Sequence, residues 1–233
     1  MACDFGRLSG SRTARIVVIC CSLSAVGCRA WTKLTTSQQT LDEQRKYGAT
    51  ADQRLEEAAS QAKAAKAGSH ADQVEFTKKL VDQMLAEHDP RVRVGILEVA
   101  AGFDTPAAAS ICRGGLDDPD ERVRMAACAA WRERGGAEAV ELLATRYRTD
   151  PEIDVRLRAL RELGQLGDKA AVPVLAKALE DPDPAVQYRA VGALKRVSGR
   201  DLGDDVNKWR EWAADPAGSS AEWTIAEGFR QLF

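Results

Sequence analysis

The sequence has few aromatic residues, almost no histidine and no excess of basic charge. Aromatic residues make up 6% of its 233 residues, whereas 45% are hydrophobic and 29% are charged. Scarce aromatics beside abundant Ala and charged residues favour helices over a β-sandwich, whose strands are rich in β-branched and aromatic side chains. The hydrophobic fraction is sufficient for a substantial core, so the composition argues against a disordered chain.

The lack of positive charge argues against a general nucleic-acid binder. The formal net charge is −2. Without residues 1–27, which contain Arg7, Arg12, Arg15 and Asp4, 30 basic and 34 acidic residues remain and the charge is −4. Proteins that bind nucleic acids through the phosphates show a large positive balance or basic runs. We therefore expect no nucleic-acid partner.

The amino terminus has the anatomy of an export signal. Three arginines precede an uncharged stretch from Ile16 to Gly27, and Cys28 follows. Twelve helical residues cover about 18 Å, which is too short for a permanent transmembrane helix, so a cleaved signal peptide over residues 1–27 is the better interpretation. The segment SAVGC at 24–28 resembles a bacterial lipobox, although Ala25 stands where most lipoboxes have Leu. Ordinary secretion and a buried N-terminal helix are the alternatives.

The lipobox resemblance implies that Cys28 is acylated and anchors the protein to a membrane of the cell envelope, on the periplasmic side. Arg29 follows the cysteine, rather than the Asp associated with inner-membrane retention, and this slightly favours the outer membrane. Residues 28–68 are polar and have few apolar anchors. The sequence therefore predicts a flexible tether between the anchor and the rest of the chain. A helix around Asp52 to Ala67 within this tether is the alternative, without an apolar stripe with which to pack.

Cysteine is scarce beyond this region, so no disulfide framework is expected. Only Cys112 and Cys128 follow Cys28. Both fall on apolar positions of consecutive predicted helices, where a thiol acts as a small hydrophobic side chain. A bridge between them is the alternative, with doubtful geometry.

From about residue 70 the chain repeats a short segment in which an acid, often followed by Pro, precedes Val and then Arg. Four copies are present: EHDPRVR, DPDERVR, DPEIDVR and DPDPAVQ, whose valines, Val92, Val123, Val155 and Val186, are spaced 31, 32 and 31 residues apart. The acid caps a helix, Pro is tolerated in its first turn, and apolar residues recur at helical spacing. Two helical patterns per unit of about 30 residues indicate stacked hairpins, because no hairpin can bury its apolar face alone.

The segment VPVLAKALEDPDPAVQYRAVGAL and those aligned with it resemble HEAT repeats of the phycobilisome-lyase-like type, one of the armadillo-like helical folds. The resemblance covers about residues 70–198. It implies an all-α fold, an α-solenoid of about four hairpins over residues 69–200. Residues 201–233 are predicted to form a helical cap that shields the open end, with an aromatic ligand or membrane patch as the alternative. The aromatic and apolar residues of this tail are Trp209, Trp212, Trp223, Ile225 and Phe229.

Two enzyme families resemble this fold, the deoxyhypusine hydroxylases and the bilin lyases. A di-iron hydroxylase site needs His-Glu pairs converging from several second helices. The corresponding pairs of residues contain neither His nor Glu: Val94-Gly95, Met125-Ala126, Leu157-Arg158 and Tyr188-Arg189. His70 and His88 are expected in solvated or capping roles. We therefore expect a non-enzymatic protein without metal, cofactor or small-molecule substrate, and an oxidoreductase or lyase is the disfavoured alternative.

Arginines recur just after the repeated valines, at Arg93, Arg124 and Arg156, with Gln187 at the same position in the last unit. One interpretation is structural, in which these arginines bond to turn carboxylates of a neighbouring unit. The carboxylates predicted for this role are Asp89, Asp120, Glu152 and Asp183.

The other interpretation is a positively lined groove for an acidic segment of a protein partner, because second helices of HEAT arrays usually line the concave side. Its candidate residues are Arg93, Arg124, Arg156, Arg158, Tyr188 and Arg189, with Trp131 as a further aromatic contact. The leading hypothesis is a membrane-anchored adaptor for another envelope protein. A purely structural lipoprotein is a third option.

Overall fold

The computed structural model describes Lys46 and residues 48–216, and the fold below is that of residues 49–216. The signal peptide, Cys28, the first part of the predicted tether and the tail residues Trp223, Ile225 and Phe229 lie outside the described residues. Residues 49–216 contain ten α-helices and no strand. The helices are α1 (Ala51–Ala67), α2 (His70–Ala86), α3 (Pro90–Ala101), α4 (Pro106–Gly115), α5 (Glu121–Arg134), α6 (Gly136–Thr149), α7 (Ile153–Leu166), α8 (Val172–Ala178), α9 (Pro184–Ser198) and α10 (Val206–Ala214).

The helices form four hairpins, each with a first and a second helix. The pairs are α2 with α3, α4 with α5, α6 with α7, and α8 with α9. Second helices also pack directly on the next second helix, from α1 through α3, α5 and α7 to α9. The predicted all-α solenoid of about four HEAT-like hairpins is therefore confirmed.

The repeated acidic segments start the second helices as the sequence predicts. Asp89, Asp120 and Asp183 are N-cap residues, and each side chain accepts a hydrogen bond from the backbone N–H two residues later, at 2.9, 2.9 and 2.8 Å. A carboxylate at this position satisfies an amide that has no partner within the helix and complements the helix dipole. Gly167 and Gly199 end α7 and α9 in the left-handed conformation, at φ 71° and 69°, where a glycine avoids steric strain.

One continuous hydrophobic core runs through the array. It begins with alanines of α1 and ends with Trp209 and Trp212 of α10. The marker valines Val92, Val123, Val155 and Val186 are all buried, each on the inner stripe of its helix. Because the core of each hairpin continues into the next, stability depends on the interfaces between neighbouring units as well as on each unit.

The array begins one helix earlier than the sequence predicts. Residues 51–67, assigned above to the flexible tether, form α1, which packs on α2 and α3. Its buried side chains are Ala58, Ala62 and Ala65, and Leu55 packs against the core. The tether prediction is wrong for this segment, because alanines at helical spacing make too weak an apolar pattern to be recognised, yet their short side chains allow close packing against α3.

The array also continues beyond its fourth hairpin. Helix α10 packs on α8 and α9 and buries Trp209 and Trp212. The two indole rings meet edge to face with centroids 5.6 Å apart, and Trp209 Nε1 donates to the carbonyl of Gly203 at 2.9 Å. These two tryptophans therefore belong to the core and do not form an exposed aromatic patch.

Cys112 and Cys128 are buried free thiols, as their core interpretation predicts. Burial raises the pKa of Cys112 to about 11 and that of Cys128 to about 12. Both thiols therefore stay protonated at neutral pH, and their position is explained by packing. Among the described helices, none combines the length and the apolar character needed to cross a membrane.

Candidate functional site

The second helices form a layer, and all the residues predicted to line the binding groove lie on these helices. Small residues let these helices approach closely: a Cβ added to Gly164 of α7 would lie 2.6 Å from the Cα of Ala193 in α9. A Cβ added to Gly95 of α3 would instead meet the end of the Leu55 side chain of α1. The close contact fixes which side chains point into the interface and which point to solvent.

Three predicted groove residues, Arg93, Arg124 and Arg156, form ion pairs between units, which we call the arginine ladder. Arg93 Nη2 lies 2.8 Å from Asp118 Oδ1, Arg124 Nε lies 2.9 Å from Asp150 Oδ2, and Arg156 Nη2 lies 3.3 Å from Asp181 Oδ2. Each bond joins a second helix to the turn of the next hairpin. The structural interpretation is confirmed for these three residues, and their assignment to a binding groove stays a prediction.

The carboxylates of the ladder are not those predicted. Asp118, Asp150 and Asp181 open the repeated segment, two residues before the N-cap residues. Asp89, Asp120 and Asp183 instead bond to backbone amides of their own helices. Each ladder carboxylate also accepts the N–H two residues later, for example from Glu152 to Asp150 Oδ1 at 3.0 Å, so the turn holds it in place for the arginine.

The rung between Arg124 and Asp150 is the most buried. Asp150 is 4% exposed and Arg124 is 8% exposed, and Arg146 Nη1 adds a second cation 3.2 Å from Asp150 Oδ2. Burial opposes ionisation of Asp150, but the hydrogen bonds from Arg124, Glu152 N–H and Arg146 outweigh it and lower the pKa of this carboxyl. Asp150 is therefore charged at neutral pH and ties three helices together.

Helix α1 adds a rung that the sequence analysis missed. Arg54 Nε lies 2.9 Å from Glu87 Oε2 in the turn before α3. Arg54 stands four residues after the N-cap Thr50, at the spacing that separates Asp120 from Arg124. The sequence signal that could have indicated the start of α1 is the capping box formed by Thr50 and Gln53. At the other end, Gln187 bonds to the Asp181 carbonyl of its own turn at 2.7 Å.

Arg158 is only partly exposed to solvent and is not a free charge. Its Nε lies 2.6 Å from Glu162 Oε1, and Arg132 Nε donates to Glu162 Oε2 at 2.7 Å. Glu162 is 1% exposed, so it is a buried anion held between two arginines. Arg158 thus balances a buried carboxylate, and Trp131, the further aromatic candidate, is itself buried in the core.

The remaining candidates, Tyr188 and Arg189, lie together in a groove between α7 and α9. The groove has a volume of about 260 Å³, and Tyr188 is 68% exposed. We call it the basic groove; its lining residues are Arg161, Tyr188, Arg189, Gly192, Ala193 and Arg196. The sequence analysis missed Arg161 and Arg196, although Arg189 and Arg196 are seven residues apart, which places them on one face of a helix.

The four residue pairs that correspond to the His-Glu pairs of a di-iron site lie on the second helices. His70, the first residue of α2, and His88, in the turn before α3, are exposed. Within residues 48–216, no three His, Cys, Asp or Glu side chains are close enough to hold a metal ion together.

Comparison with known families agrees with the repeat geometry. The sequence model of the HEAT-repeat family matches residues 77–156 and 145–222, which together span α2 to the end of α10 and cover more than half of the chain. No curated protein matches the sequence. From the hairpins, the stacked second helices and this match, we conclude that the chain belongs to the family of HEAT-repeat proteins.

Proposed function

We propose that this protein is a non-enzymatic scaffold of the bacterial cell envelope that binds another protein through the outer side of its second helices. HEAT repeats commonly mediate protein–protein interactions. The observation that supports a binding role for this chain most directly is the basic groove, in which an exposed tyrosine stands beside arginines that have no carboxylate among the lining residues. Exposed aromatic and arginine side chains are enriched at the centres of protein interfaces.

We further propose that acylated Cys28 anchors the scaffold to a membrane. The support comes from the lipobox-like segment at residues 24–28 and the export signal before it. Two or more acyl chains would make the attachment stable, whereas a single chain gives only marginal binding. The anchor and the array are then joined by residues 29–50, and the outer membrane is the favoured destination.

The enzymatic alternative, an oxidoreductase or lyase of the phycobilisome-lyase-like group, ranks second. It rests on the resemblance of the repeats alone, because the residues at the ligand positions of α3, α5, α7 and α9 include no His or Glu. Stoichiometric iron or a bilin in the purified protein would make the enzymatic alternative the leading proposal.

The scaffold proposal is tested by chemical crosslinking in the native cell, followed by affinity capture and mass spectrometry. The natural chain is compared with Cys28→Ala. We expect one reproducible envelope partner that is captured with the natural chain and lost from the variant. Absence of any partner in both samples would contradict the scaffold proposal.

The anchor is tested separately by growth with radiolabelled palmitate. We expect label in the natural chain and none in Cys28→Ala, with the mature natural protein recovered in the membrane fraction. A soluble, unlabelled natural chain would indicate ordinary secretion instead, and it would leave the partner search to be repeated on the secreted protein.

A further inference from the structure

The basic groove differs in charge from other concave surfaces of residues 48–216. Three arginines line it, and none of its lining residues is acidic. Four other concave surfaces each include at least one carboxylate, namely Glu57 and Glu87, Glu98, Glu98 with Glu133, and Glu141. The basic groove therefore attracts anions more strongly than these neighbouring surfaces do.

The charge of the groove does not balance a structural carboxylate. Arg189 stands in α9 where Arg158 stands in α7, since each lies six residues after its N-cap. Arg158 pairs with Glu162, four residues further on. The residue four after Arg189 is Ala193, so Arg189 lacks the carboxylate partner that Arg158 has. At the ladder position of α9 it is the arginine that is absent, and Gln187 stands in its place.

The other two arginines of the groove are also available to a ligand. Within the described part of the chain, Arg196 has no hydrogen bond or ion pair, and it is exposed, as is Arg189. Arg161 Nε donates only to the neutral side-chain amide of Gln165, at 3.3 Å, when this amide is turned to donate to Glu162. A guanidinium binds a carboxylate through two parallel hydrogen bonds, which gives both affinity and geometry.

The groove floor is open and lies beside an aromatic ring. A Cβ added to Gly192 would meet no atom within 4 Å, so the space over α9 at this point is free. Tyr188 takes the position of Leu157 and Met125, which are partly buried in the preceding units. Its phenol ring offers an apolar surface and carries a polar hydroxyl at its edge. This combination suits a bound peptide that stays partly exposed to solvent.

We infer that the basic groove binds an acidic segment of the protein partner, with carboxylates of the segment held by Arg189 and Arg196. This inference rests on the proposed scaffold function and names the chemistry of its partner. Seven helical residues separate Arg189 from Arg196 by about 10 Å, which carboxylates seven residues apart on one face of a helix can match. A nucleic acid is disfavoured because the chain has no excess of basic residues, with 33 basic against 35 acidic residues.

The test is fluorescence anisotropy with the full-length chain in a mild detergent. The probe is a fluorescein-labelled peptide of Ala, Leu and Glu with glutamates three, four and seven residues apart, and the reference probe has every Glu replaced by Gln. We expect the Glu peptide to bind at least about tenfold more tightly than the Gln peptide, with a Kd that rises with salt.

The decisive variant is Arg189→Glu with Arg196→Glu. It should weaken binding of the Glu peptide at least about tenfold, since a tenfold change corresponds to one lost charge-assisted contact. The matched control is Lys78→Glu with Arg148→Glu, which makes the same change of charge at exposed positions of α2 and α6, two helices that do not line the groove. Equal weakening by both double variants would overturn the inference.

Two further results would overturn it. If a single-stranded oligonucleotide of equal charge competes as well as the Glu peptide, the groove binds polyanions without preference for protein. If Glu222→Gln with Glu227→Gln in the full chain tightens peptide binding tenfold, the tail of this chain is the resident ligand. We expect neither result.

The scaffold proposal and this inference can fail independently. If the anchored chain captures the same partner with and without Arg189→Glu and Arg196→Glu, the groove assignment is wrong and the scaffold stands. If no partner is captured while the Glu peptide binds through the groove, the scaffold proposal fails and the groove remains an anion site of the isolated protein.

Discussion

Arginines serve two different purposes on the same helices of this protein. Those of the ladder, Arg93, Arg124 and Arg156, lie four residues after an N-cap and pair with carboxylates in the next turn. Those of the basic groove lie six or more residues after an N-cap, and no carboxylate lines the groove around them. A difference of two residues turns a side chain by about 200° around the helix axis, so the ladder arginines and the groove arginines face different directions. Away from the ladder position, the acid four residues later decides whether an arginine is available: Arg158 pairs with Glu162, whereas Arg189 is followed by Ala193.

The largest expected effect is loss of the most buried rung. We expect Asp150→Ala to lower the free energy of unfolding by about 3–5 kcal/mol, because it leaves the buried guanidinium of Arg124 without its counter-ion. The matched control is Asp181→Ala, whose partner Arg156 is more exposed and whose loss should be smaller. Urea unfolding followed by circular dichroism measures both. Equal losses would show that burial does not set the strength of a rung.

The next largest effect concerns the contact that creates the basic groove. We expect Gly164→Leu to cost about 1–3 kcal/mol, because its side chain would push α7 away from the Ala193 backbone. Gly192→Ala, one residue before Ala193, faces open space and should stabilise α9 by about 0.5–1 kcal/mol. Thermal unfolding of the two variants compares a glycine that packs with one that only lines the groove. Stabilisation by Gly164→Leu would contradict the close approach of the two helices.

A smaller effect on stability is expected when the pH is lowered. The pKa of Asp150 is lowered in the folded protein, so its contribution is fully present above the ordinary Asp pKa of about 3.9 and is lost as the pH falls through the folded value. We expect the difference in unfolding free energy between the natural chain and Asp150→Asn to be largest at neutral pH and to shrink below about pH 4. Urea titrations across this range measure the difference. A difference independent of pH would mean that the charge of Asp150 does not stabilise the fold.

The smallest effect is expected in the basic groove. Arg189→Glu with Arg196→Glu should change the free energy of unfolding by no more than about 0.5 kcal/mol, because neither side chain has a partner in the described residues. The same urea experiment measures it. If the free energy of unfolding fell by several kcal/mol, these arginines would stabilise the fold as the ladder arginines do. There would then be no reason to treat them as a binding surface.

The hairpins were predictable from sequence because their signals are local. An acid at the N-cap, a buried valine three residues later and an apolar stripe recur with a period near 31 residues, and each signal is read within one turn or two of helix. Helix α1 was missed because its buried stripe consists of alanines, which also occur on exposed helix faces. The ladder was anticipated as a class of interaction, but the choice of Asp118 over Asp120 depends on which carboxylate already caps the helix, and Asp120 caps α5.

The sequence by itself determined the helical hairpins, their number in the repeated region and the burial of the marker valines, since helix caps and apolar periodicity act over a few residues. Only the tertiary structure decided which arginines are available. Asp150 meets Arg124 across 26 residues of chain, and Glu162 neutralises Arg132 and Arg158 from a buried position. Such pairings depend on how neighbouring helices stack, because residues far apart in the chain, such as Arg132 and Glu162, meet only when α5 packs on α7.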